Sequence, residues 1–402
     1  MKSAKQTVAV LFGGQSPEHD VSIVTGLQVL DALDSERYTS IPVYITGSGS
    51  WYTGDILRKR DFYIPGDASL RDAIPVSLSL RRNPRPTLLS LRSGMFQSAK
   101  PIEFDVAIPA FHGSMGEDGR IQGMLEVAGV PYSGMRPLAS AVLMDKVATK
   151  RMLGETKIPQ LPYREIRRPA RGLLITAAEL RRDLGDVAFP ACVKPSHLGS
   201  SIGVARVNDI DELSMVLPSI FRLDNAAILE PWVNNLVEYN VSVSRFGEEV
   251  RTSAIERPKH SSELLDFKSK YLSGSKDGSG SKQPGSSSEG MLSLTREINP
   301  PLPSEVEARL RQWATDMFLQ VDGAGAPRVD FIGDAGSGDI WLNEVNPCPG
   351  SFGFFLWEAA RPPLLFSSLL DHLIEEALRF AASNELPSDP TPESARLFKR
   401  RG

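Results

Sequence analysis

The sequence has 402 residues, of which 41% are hydrophobic and 23% are charged, a balance typical of globular proteins and not of disordered or fibrous chains. Its 45 lysines and arginines oppose 49 acidic residues, which gives a formal net charge of −4. No basic excess is present to neutralise a nucleic-acid backbone or an anionic membrane surface, so small-molecule chemistry in two or three domains is expected.

The first segment of the chain predicts a parallel α/β unit. Residues 7–12 (TVAVLF) form a nearly continuous apolar run that ends at Gly13 and Gly14, which is typical of a buried parallel strand and a tight turn. A helix is predicted next, and residues 41–45 read as the following strand. The helix carries apolar residues at helical spacing: Val21, Val24, Leu27, Leu30 and Leu33. This order predicts a βαβ opening.

The rest of the first domain is less regular. Residues 51–101 are rich in Arg, Pro and Ser and have weak periodicity, so we expect an elaboration of the same domain. Residues 104–109 predict another strand, and we place the domain boundary near residue 140.

Targeting and redox signals are lacking. The N-terminus has no apolar stretch or small-residue cleavage site of the signal-peptide type, and no run approaches the ~18 apolar residues of a membrane helix. Cys192 and Cys348 lie far apart, so neither a disulfide framework nor a zinc site is expected and both thiols should be inert. A cytoplasmic protein without a membrane or nucleic-acid partner is predicted.

A second domain is predicted over residues 141–231. It opens with one helix over SAVLMDKVATKRML and contains apolar strands at residues 189–193 and 226–230. Pro231 ends the last of these strands, because proline cannot donate to a central ladder.

The third domain is predicted over residues 232–380. Residues 276–290 are rich in Gly and Ser, which predicts a mobile lid near residues 260–295. An amphipathic helix, two paired strands and a closing helix are predicted after the lid, at residues 305–319, 328–332, 339–345 and 364–380. The polar tail, residues 381–402, is expected to be disordered.

The paired strands carry the most informative polar residues. Alternation along a strand puts Arg328 and Asp330 on one face, and likewise Glu344 and Asn346. Their oxygens suit Mg²⁺, which takes few protein ligands beside phosphate oxygens and water. Arg328 could form a simple salt bridge or stabilise a developing oxyanion.

Two further segments each contain a candidate lysine. KPSHLGSSIG (residues 194–203) is a strand-end lysine followed by a turn rich in backbone donors, an arrangement that can bind phosphates, although the order is not that of a Walker A loop. Lys146 lies in a predicted helix, where a lysine is usually solvated.

Two glycine-rich loops follow strands of the first domain. The residues GGQSPE before the first helix favour anions at the helix start, where Glu18 is either a first-turn acid or a ligand-binding residue. HGSMGEDG (residues 112–119) is either a plain turn or a functional loop that contains His112.

Together these segments resemble the D-alanine:D-alanine ligase family of the ATP-grasp superfamily. The resemblance rests on GGQSPEHDVSIVTG, HGSMGEDGRIQGMLEVAGVPYSG, SAVLMDKVATKRML, VKPSHLGSSIGV, EYNVSV, DFKSKY, RVDF and NEVNPCPG, which occur in order over most of the chain. It implies a three-domain α/β ATP-grasp architecture with an N-terminal Rossmann-like parallel-sheet domain. It also implies an enzyme that activates a carboxylate with ATP and joins it to an amine.

For the nucleotide, the resemblance implies a site between the second and third domains. The implied ATP-binding residues are Lys146 and Lys194 at phosphates, Ser200 and Ser201, Glu230 and the backbone of Trp232 and Val233 at the adenine, Glu238 at the ribose, and Lys270 at the γ-phosphate. Asp330, Glu344 and Asn346 would hold two Mg²⁺ ions, or Mn²⁺ instead, which neutralise charge as the phosphoryl group moves.

For the substrates, the resemblance implies that Glu18 binds the ammonium group of the first amino acid, with His112 nearby. Glu18, Ser200 and Tyr271 would form a hydrogen-bonded triad that links the first domain to the lid. Tyr271 also favours an amine over a hydroxy-acid acceptor by family analogy. Closure of the lid would exclude water from an acyl phosphate.

The sequence departs from the family beyond the oxyanion position. Arg328 and the backbone N–H of Gly350 would stabilise the tetrahedral intermediate that follows amine attack. Phe355 then stands where a serine is expected to bind the carboxylate of the second amino acid. Either Ser351 or Ser367 substitutes for this serine, or the amine substrate differs.

Three functions are therefore compared. The first is formation of D-alanyl-D-alanine for peptidoglycan synthesis, and thus for cell wall biogenesis and cell shape. The second keeps the acyl-phosphate chemistry but uses a different amino acid or amine, as in specialised metabolism. The third is a non-catalytic nucleotide-binding protein, against which the complete set of Arg328 and three metal ligands argues. A homodimer is expected by analogy.

Overall fold

The computed structural model describes residues 5–63, 70–81, 85–91, 93–94, 97–98, 100–199, 201–259, 296–384 and 393–395. The predicted lid and most of the predicted tail lie outside these residues. None of the helices within these residues is both long enough and apolar enough to cross a bilayer.

A seven-stranded mixed sheet forms the N-terminal part of the molecule. Strand β1, which lies next to the edge strand β9, pairs in parallel with both β2 and β9, so the predicted βαβ opening is confirmed. The other strands extend the sheet beyond β2 in antiparallel pairs, in the order β8-β5-β4-β3-β2-β1-β9. The predicted elaboration thus continues the same sheet. The strands are β1 (Gln6–Gly13), β2 (Tyr38–Ile45), β3 (Trp51–Thr53), β4 (Ile74–Leu78), β5 (Thr87–Ser90), β8 (Ile102–Glu103) and β9 (Val106–Pro109), with β6 (Ser93–Gly94) and β7 (Gln97–Ser98) as a separate ladder.

Helix α1 (His19–Ala32) packs on β1 through a glycine. A Cβ at Gly26 would lie 2.4 Å from Cγ of Phe12, so only glycine allows this close approach. The predicted helix is confirmed, but the apolar residues at helical spacing do not all lie in the core, since Val21 and Val24 are 48% and 49% exposed. The helix instead turns small residues such as Ser22 toward the sheet, because a close contact with β1 leaves no room for larger ones.

The single helix predicted over SAVLMDKVATKRML was wrong. The structure has two helices, α3 (Pro137–Met144) and α4 (Lys146–Met152), after α2 (Arg120–Val127). Asp145 interrupts them in an extended conformation, and its Oδ1 accepts the backbone N–H groups of Val147 and Ala148. A side-chain N-cap therefore starts a new helix here.

The second sheet has four antiparallel strands in the order β10-β13-β11-β12. Its strands are β10 (Arg164–Arg167), β11 (Ala191–Pro195), β12 (Ala205–Val207) and β13 (Ala226–Pro231). Helices α5 (Ala177–Leu184) and α6 (Ile210–Phe221) cover the sheet and share its hydrophobic core.

The third sheet has five antiparallel strands in the order β16-β15-β14-β17-β18. Its strands are β14 (Leu236–Phe246), β15 (Glu249–Pro258), β16 (Arg296–Ile298), β17 (Arg328–Asp334) and β18 (Ile340–Asn346). Helix α7 (Ser304–Gln320) packs on this sheet, together with Ala139 and Leu143 of α3. The predicted pairing of the strands that contain RVD and EVN is confirmed, and the two strands are antiparallel.

The C-terminal helices return to the first sheet. After the short α8 (Phe354–Glu358), helix α9 (Phe366–Ser383) buries Leu369, Leu370 and Leu373 in one cluster with Val8 and Val10 of β1. The last helix thus packs on the first domain, although it follows the third sheet in the chain. The domain boundaries at residues 140, 231 and 380 stay predictions.

Candidate active site

A cavity of about 300 Å³ lies where loops of the first domain face the third sheet. Nine of the residues singled out in the sequence line it: Glu18, His112, Ser201, Glu238, Arg328, Asp330, Glu344, Asn346 and Gly350. They come from distant parts of the chain, and the fold brings them together.

The paired strands β17 and β18 supply the floor of this cavity. Arg328 is paired with Asn346 and Asp330 with Glu344, so all four side chains lie on the same face, as alternation along the strands predicts. Nε and Nη2 of Arg328 each donate to a different Asp330 oxygen at 2.6 Å, and Nδ2 of Asn346 donates to Asp330 Oδ2 at 2.7 Å. Asp330 is therefore held by three charge-assisted hydrogen bonds.

Acidic charge is concentrated around these strands. Burial, together with the negative charges of Asp330 and Glu344, raises the pKa of Glu238 to about 7. Burial also raises the pKa of Asp330, although Arg328 opposes this shift. In the described part of the chain, no three His, Cys, Asp or Glu side chains form a metal site by themselves. A metal at Asp330 and Glu344 would thus need an amide or ligand oxygen as well.

Lys146 is buried, which corrects the expectation of a solvated helix lysine. Its side chain is 7% exposed, and its Nζ lies 3.0 Å from Glu344 Oε2 and donates to the Leu198 carbonyl at 2.7 Å. The reason is the N-cap at Asp145, which begins α4 at Lys146 and directs this lysine toward the third sheet. Lys146 therefore connects the glycine-rich turn to the floor of the cavity.

Lys194 belongs to a buried set of three charges. The two oxygens of Glu230 lie 2.7 Å from the Nζ atoms of Lys150 and Lys194, and Lys194 also donates to Asn343 Oδ1 at 2.8 Å. Burial opposes ionisation of Glu230, but the two lysines outweigh it and lower the pKa of this carboxyl. Lys150 was not identified from the sequence, because only the fold brings it to Glu230.

Trp232 and Val233 follow β13 directly. The Trp232 N–H donates to the Pro190 carbonyl at 3.0 Å. A ligand at this segment would therefore contact the carbonyl of Trp232 or the backbone of Val233. The guanidinium of Arg206 lies 5.1 Å from the ring centroid of Trp232.

Glu18 lies between two glycines from different domains. A Cβ at Gly113 would be 2.6 Å from Glu18 Oε2, and one at Gly199 would be 3.7 Å from Oε1. The carboxylate therefore reaches from the first domain to the glycine-rich turn of the second. Ser201, at the same turn, has a φ of 55°.

His112 fixes the loop that follows β18. Its Nδ1 lies 2.9 Å from the Cys348 carbonyl, so Nδ1 carries the proton and donates. Nε2 then accepts from the Thr25 hydroxyl at 2.7 Å, and Thr25 Oγ1 in turn accepts the Ser351 N–H at 3.1 Å. Burial lowers the pKa of His112 to about 4, which keeps this tautomer neutral. Both ring nitrogens are engaged within the protein.

Glu117 holds the same loop from the other side and was missed in the sequence. Its Oε2 accepts the Gly113 N–H at 2.7 Å, and its Oε1 accepts the Cys348 N–H at 2.8 Å. Burial raises the pKa of this carboxyl to about 8. Glu117 and His112 thus bind the N–H and the carbonyl of Cys348, just before Gly350.

The stretch after Gly350 turns sharply. Ser351 and Phe352 have φ values of 50° and 56°, in the left-handed region that favours glycine. The Ser351 hydroxyl donates to Gln28 of α1 and does not line the cavity. Phe355 lies on α8 beneath Arg296, whose guanidinium carbon is 4.6 Å from its ring centroid, while Trp357 is fully buried.

Three predicted site residues, Ser200, Lys270 and Tyr271, lie outside the described residues. The proposed triad and the γ-phosphate contact therefore stay predictions. Both cysteines are free, and burial raises the pKa of each thiol, to about 11 for Cys192.

Two family models together match most of the chain. Residues 7–135 match the family described as "D-ala D-ala ligase N-terminus", and residues 152–375 match "D-ala D-ala ligase C-terminus". The chain is 32% identical over 373 residues to the D-alanine--D-alanine ligase of Thermosipho africanus, covering 92% of each protein. It is 33% identical to that of Heliobacterium modesticaldum, with coverage of 93% and 95%.

Solved structures show the same architecture. The D-alanine-D-alanine ligase of Coxiella burnetii superposes with a TM-score of 0.74 at 25% identity, covering 95% of this chain and 96% of the other. The VanG D-Ala:D-Ser ligase of Enterococcus faecalis gives a TM-score of 0.73 at 25% identity, with coverage of 93% and 100%. The chain therefore belongs to the D-alanine–D-alanine ligase family and is an ATP-dependent ligase with the ATP-grasp fold.

Proposed function

We propose that this protein joins two D-alanine molecules in an ATP-dependent reaction and so supplies D-alanyl-D-alanine for peptidoglycan precursors. The observation that carries the proposal is the register of β17 and β18, which aligns Arg328 and Asp330 with Asn346 and Glu344 on one face of a cavity. These residues provide a guanidinium cation and metal-binding oxygens together. Phosphoryl transfer and acyl transfer both need such groups to stabilise negative charge. The matched relatives bear this activity in their names.

The nucleotide would lie between the second and third sheets. Lys146 and Lys194 would bind phosphate oxygens, since both ammonium groups are buried near Glu344 and Glu230 and are aligned by fixed acceptors. Glu230, with the backbone at Trp232 and Val233, would bind the adenine. The remaining proposed nucleotide contacts are Ser201 and Glu238 among described residues, and Ser200 and Lys270 outside them.

The donor set at the floor of the cavity fits divalent metal. Asp330, Glu344 and the amide oxygen of Asn346 are the hard ligands that Mg²⁺ prefers, and two Mg²⁺ ions are the family expectation. Burial is the main reason why the pKa of Glu238 is raised, and the charges of Asp330 and Glu344 add to the shift; a divalent cation beside these carboxylates would offset that charge. When bound, the metal would neutralise charge on the phosphate oxygens; Mn²⁺ offers the same chemistry.

The reaction then proceeds in two steps. A carboxylate oxygen of the first D-alanine attacks the γ-phosphorus of ATP, the bond to the bridging oxygen breaks, and ADP leaves. The amine of the second D-alanine attacks the acyl carbon, loses a proton, and phosphate leaves as the peptide bond forms. Arg328 and the Gly350 N–H would stabilise the oxyanion formed in the second step, because both line the cavity from different sides.

Glu18 would bind the ammonium group of the first substrate. Its carboxylate lies at the cavity beside Gly113 and Gly199, so an ammonium there would sit between the two domains. His112, whose ring nitrogens contact Cys348 and Thr25, would act by fixing the loop before Gly350. The Glu18–Ser200–Tyr271 triad remains a proposal for lid closure.

A different second substrate is the alternative function. Phe355 has no group that donates a hydrogen bond to a carboxylate, and the Ser351 hydroxyl donates to Gln28. The D-Ala:D-Ser ligase among similar structures is a neighbour whose name gives a different second substrate. The activation step would be unchanged in this alternative.

The test is phosphate release with ATP, Mg²⁺ and D-alanine alone, then with D-alanine and D-serine, D-lactate or other amines, with the product identified by mass spectrometry. Turnover with D-alanine alone and a D-alanyl-D-alanine product would support the proposal. Turnover only in a mixture would establish the alternative, and ADP formation with no amino acid present would contradict both. Homodimerisation and a cytoplasmic location stay predictions, the first of which light scattering can test.

A further inference from the structure

A histidine in the glycine-rich turn is held between two carboxylates. His197 Nδ1 lies 2.7 Å from Asp224 Oδ1, and its Nε2 lies 3.4 Å from Asp145 Oδ2. The backbone N–H of His197 also donates to Asp224 Oδ2 at 2.7 Å. Asp224 therefore binds both the ring and the backbone of this one residue.

The two carboxylates are themselves fixed by separate elements. Asp224 follows α6, its side chain is 5% exposed, and its Oδ1 also accepts the Asn225 N–H at 2.6 Å. Asp145 caps α4 through its Oδ1, which leaves Oδ2 to face His197. His197 thus joins the start of α4 to the loop that precedes β13.

The start of α4 contacts the same turn twice more. The Lys146 N–H donates to the Ser196 carbonyl at 3.0 Å, and Lys146 Nζ donates to the Leu198 carbonyl at 2.7 Å. The residues on either side of His197 are therefore bound to the lysine that follows Asp145. A shift of the histidine would move the turn and this lysine together.

The charge on His197 matches its surroundings. The hydrogen bonds that it donates to Asp145 and to Asp224 raise the pKa of His197 to about 9, although burial opposes the shift. Burial opposes ionisation of Asp224 too, but the bonds to His197 lower the pKa of that carboxyl. The other charged groups around it, Glu165, Arg167 and Arg168, line an adjoining cavity of about 620 Å³.

We infer that His197 is a positioning residue which, as a cation between Asp145 and Asp224, fixes the glycine-rich turn and Lys146 for the phosphates of the nucleotide. The inference rests on the proposed function, because it assumes that phosphates bind at this turn. His197 need not touch the nucleotide, since it acts through the backbone of residues 196–198 and through Lys146. Loss of its charge would leave two carboxylates facing each other across the turn.

The test is the dissociation constant of Mg·ADP, measured by calorimetry on the full chain at about pH 7.5 and about pH 9.5. His197→Ala should weaken binding about tenfold at the lower pH, because small displacements of binding groups are costly. The ratio of variant to wild-type constants should shrink at the higher pH, where wild type also loses the histidine charge. Lysine titration affects both proteins and cancels in this ratio.

Asp211→Asn is the matched control. This substitution removes an exposed ion pair between Asp211 on α6 and Arg181 on α5, in the same domain. It should change the dissociation constant of Mg·ADP by less than about twofold. His197→Gln keeps a hydrogen-bond donor without the charge; it provides a second variant if the alanine protein is unstable, and should also bind less tightly at the lower pH. The KM for D-alanine should not change in any of these proteins.

Two results would overturn the inference while the proposed function stands. The first is that wild type and both histidine variants bind Mg·ADP with equal affinity. The second is that the variants bind more weakly but the ratio of variant to wild-type constants does not change with pH, because such a result would indicate that His197 has a merely structural role. If wild type itself failed to bind Mg·ADP, the nucleotide assignment would fall, and the inference with it.

Discussion

Replacing Glu117 with glutamine tests whether the loop before Gly350 must be held for catalysis. The two oxygens of Glu117 accept the backbone N–H groups of Gly113 and Cys348, at 2.7 and 2.8 Å, in a buried setting. Glutamine has the same shape but only one acceptor oxygen. Its NH₂ group would face one of the two N–H donors, and that donor would lose its partner.

The magnitude follows from the cost of a buried donor without an acceptor. That cost is about 1–3 kcal/mol, and it applies whether Glu117 is ionised or not, because a carboxylic acid keeps lone pairs on both oxygens. The pKa of Glu117 near 8 means that both forms occur close to neutral pH. A value of about 2 kcal/mol, expressed fully in the transition state, lowers kcat/KM roughly 30-fold.

The assay is steady-state phosphate release with D-alanine as the varied substrate, together with Mg·ADP binding and a thermal melt. Binding of Mg·ADP should stay within about twofold of wild type, because Glu117 does not contact the lysines at Glu230. Glu126→Gln is the control, since Glu126 accepts the Tyr132 hydroxyl on the far side of α2 and is not part of the cavity. It should leave kcat/KM unchanged.

The reasoning would be refuted if Glu117→Gln kept kcat/KM within about threefold of wild type while the protein remained folded, because the expected loss is roughly tenfold larger. Equal losses of Mg·ADP affinity and of kcat/KM would also refute it. Such a result would mean that Glu117 supports the whole cleft and not the loop before Gly350.

Three further expectations follow from buried contacts. The pKa of His112 falls from 6.5 to about 4 on folding, so its contribution to the free energy of unfolding is complete above pH 6.5. About 3 kcal/mol of this stability should be lost as the pH falls toward 4. Thermal melts of wild type should show this loss, and melts of His112→Gln should not. Arg328→Ala should lower kcat roughly 10²–10³-fold while Mg·ADP still binds, and calorimetry that showed lost binding instead would contradict its role at the oxyanion. Gly26→Ala places a Cβ 2.4 Å from Phe12 and should cost about 1–3 kcal/mol of stability. By contrast, a Cβ at Gly123 in α2 has no described neighbour within 4 Å, so Gly123→Ala should gain about 0.5–1 kcal/mol. Thermal melts that showed equal stability changes for the two variants would contradict this prediction.

Local pattern predicted several elements and one part of the site. The apolar run at β1 and the alternation of Arg328 and Asp330 depend on residues one or two positions apart, so the sequence contains the whole signal. The same holds for Glu344 and Asn346. Once β17 and β18 pair, these four side chains must share a face.

Local pattern failed where a single side chain or a close contact decided the outcome. A 14-residue segment of helical character is split by Asp145, whose carboxylate caps α4, and Lys146 then lies against Glu344. Helical spacing predicted α1 but not which of its residues are buried, since Val21 and Val24 are exposed whereas Gly26 packs against Phe12. Periodicity does not contain either effect.

The sequence by itself determined the family, the α/β elements and the two paired strands that carry Arg328 and the acidic residues. The reason is that ordered motifs and strand periodicity are properties of neighbouring residues. Only the tertiary structure decided that Glu117 and His112 hold Cys348, which is more than 230 residues away, and that Lys150 and Lys194 share Glu230. The physical reason is that these contacts join elements that are distant in the chain, and the geometry that brings them together depends on the whole core.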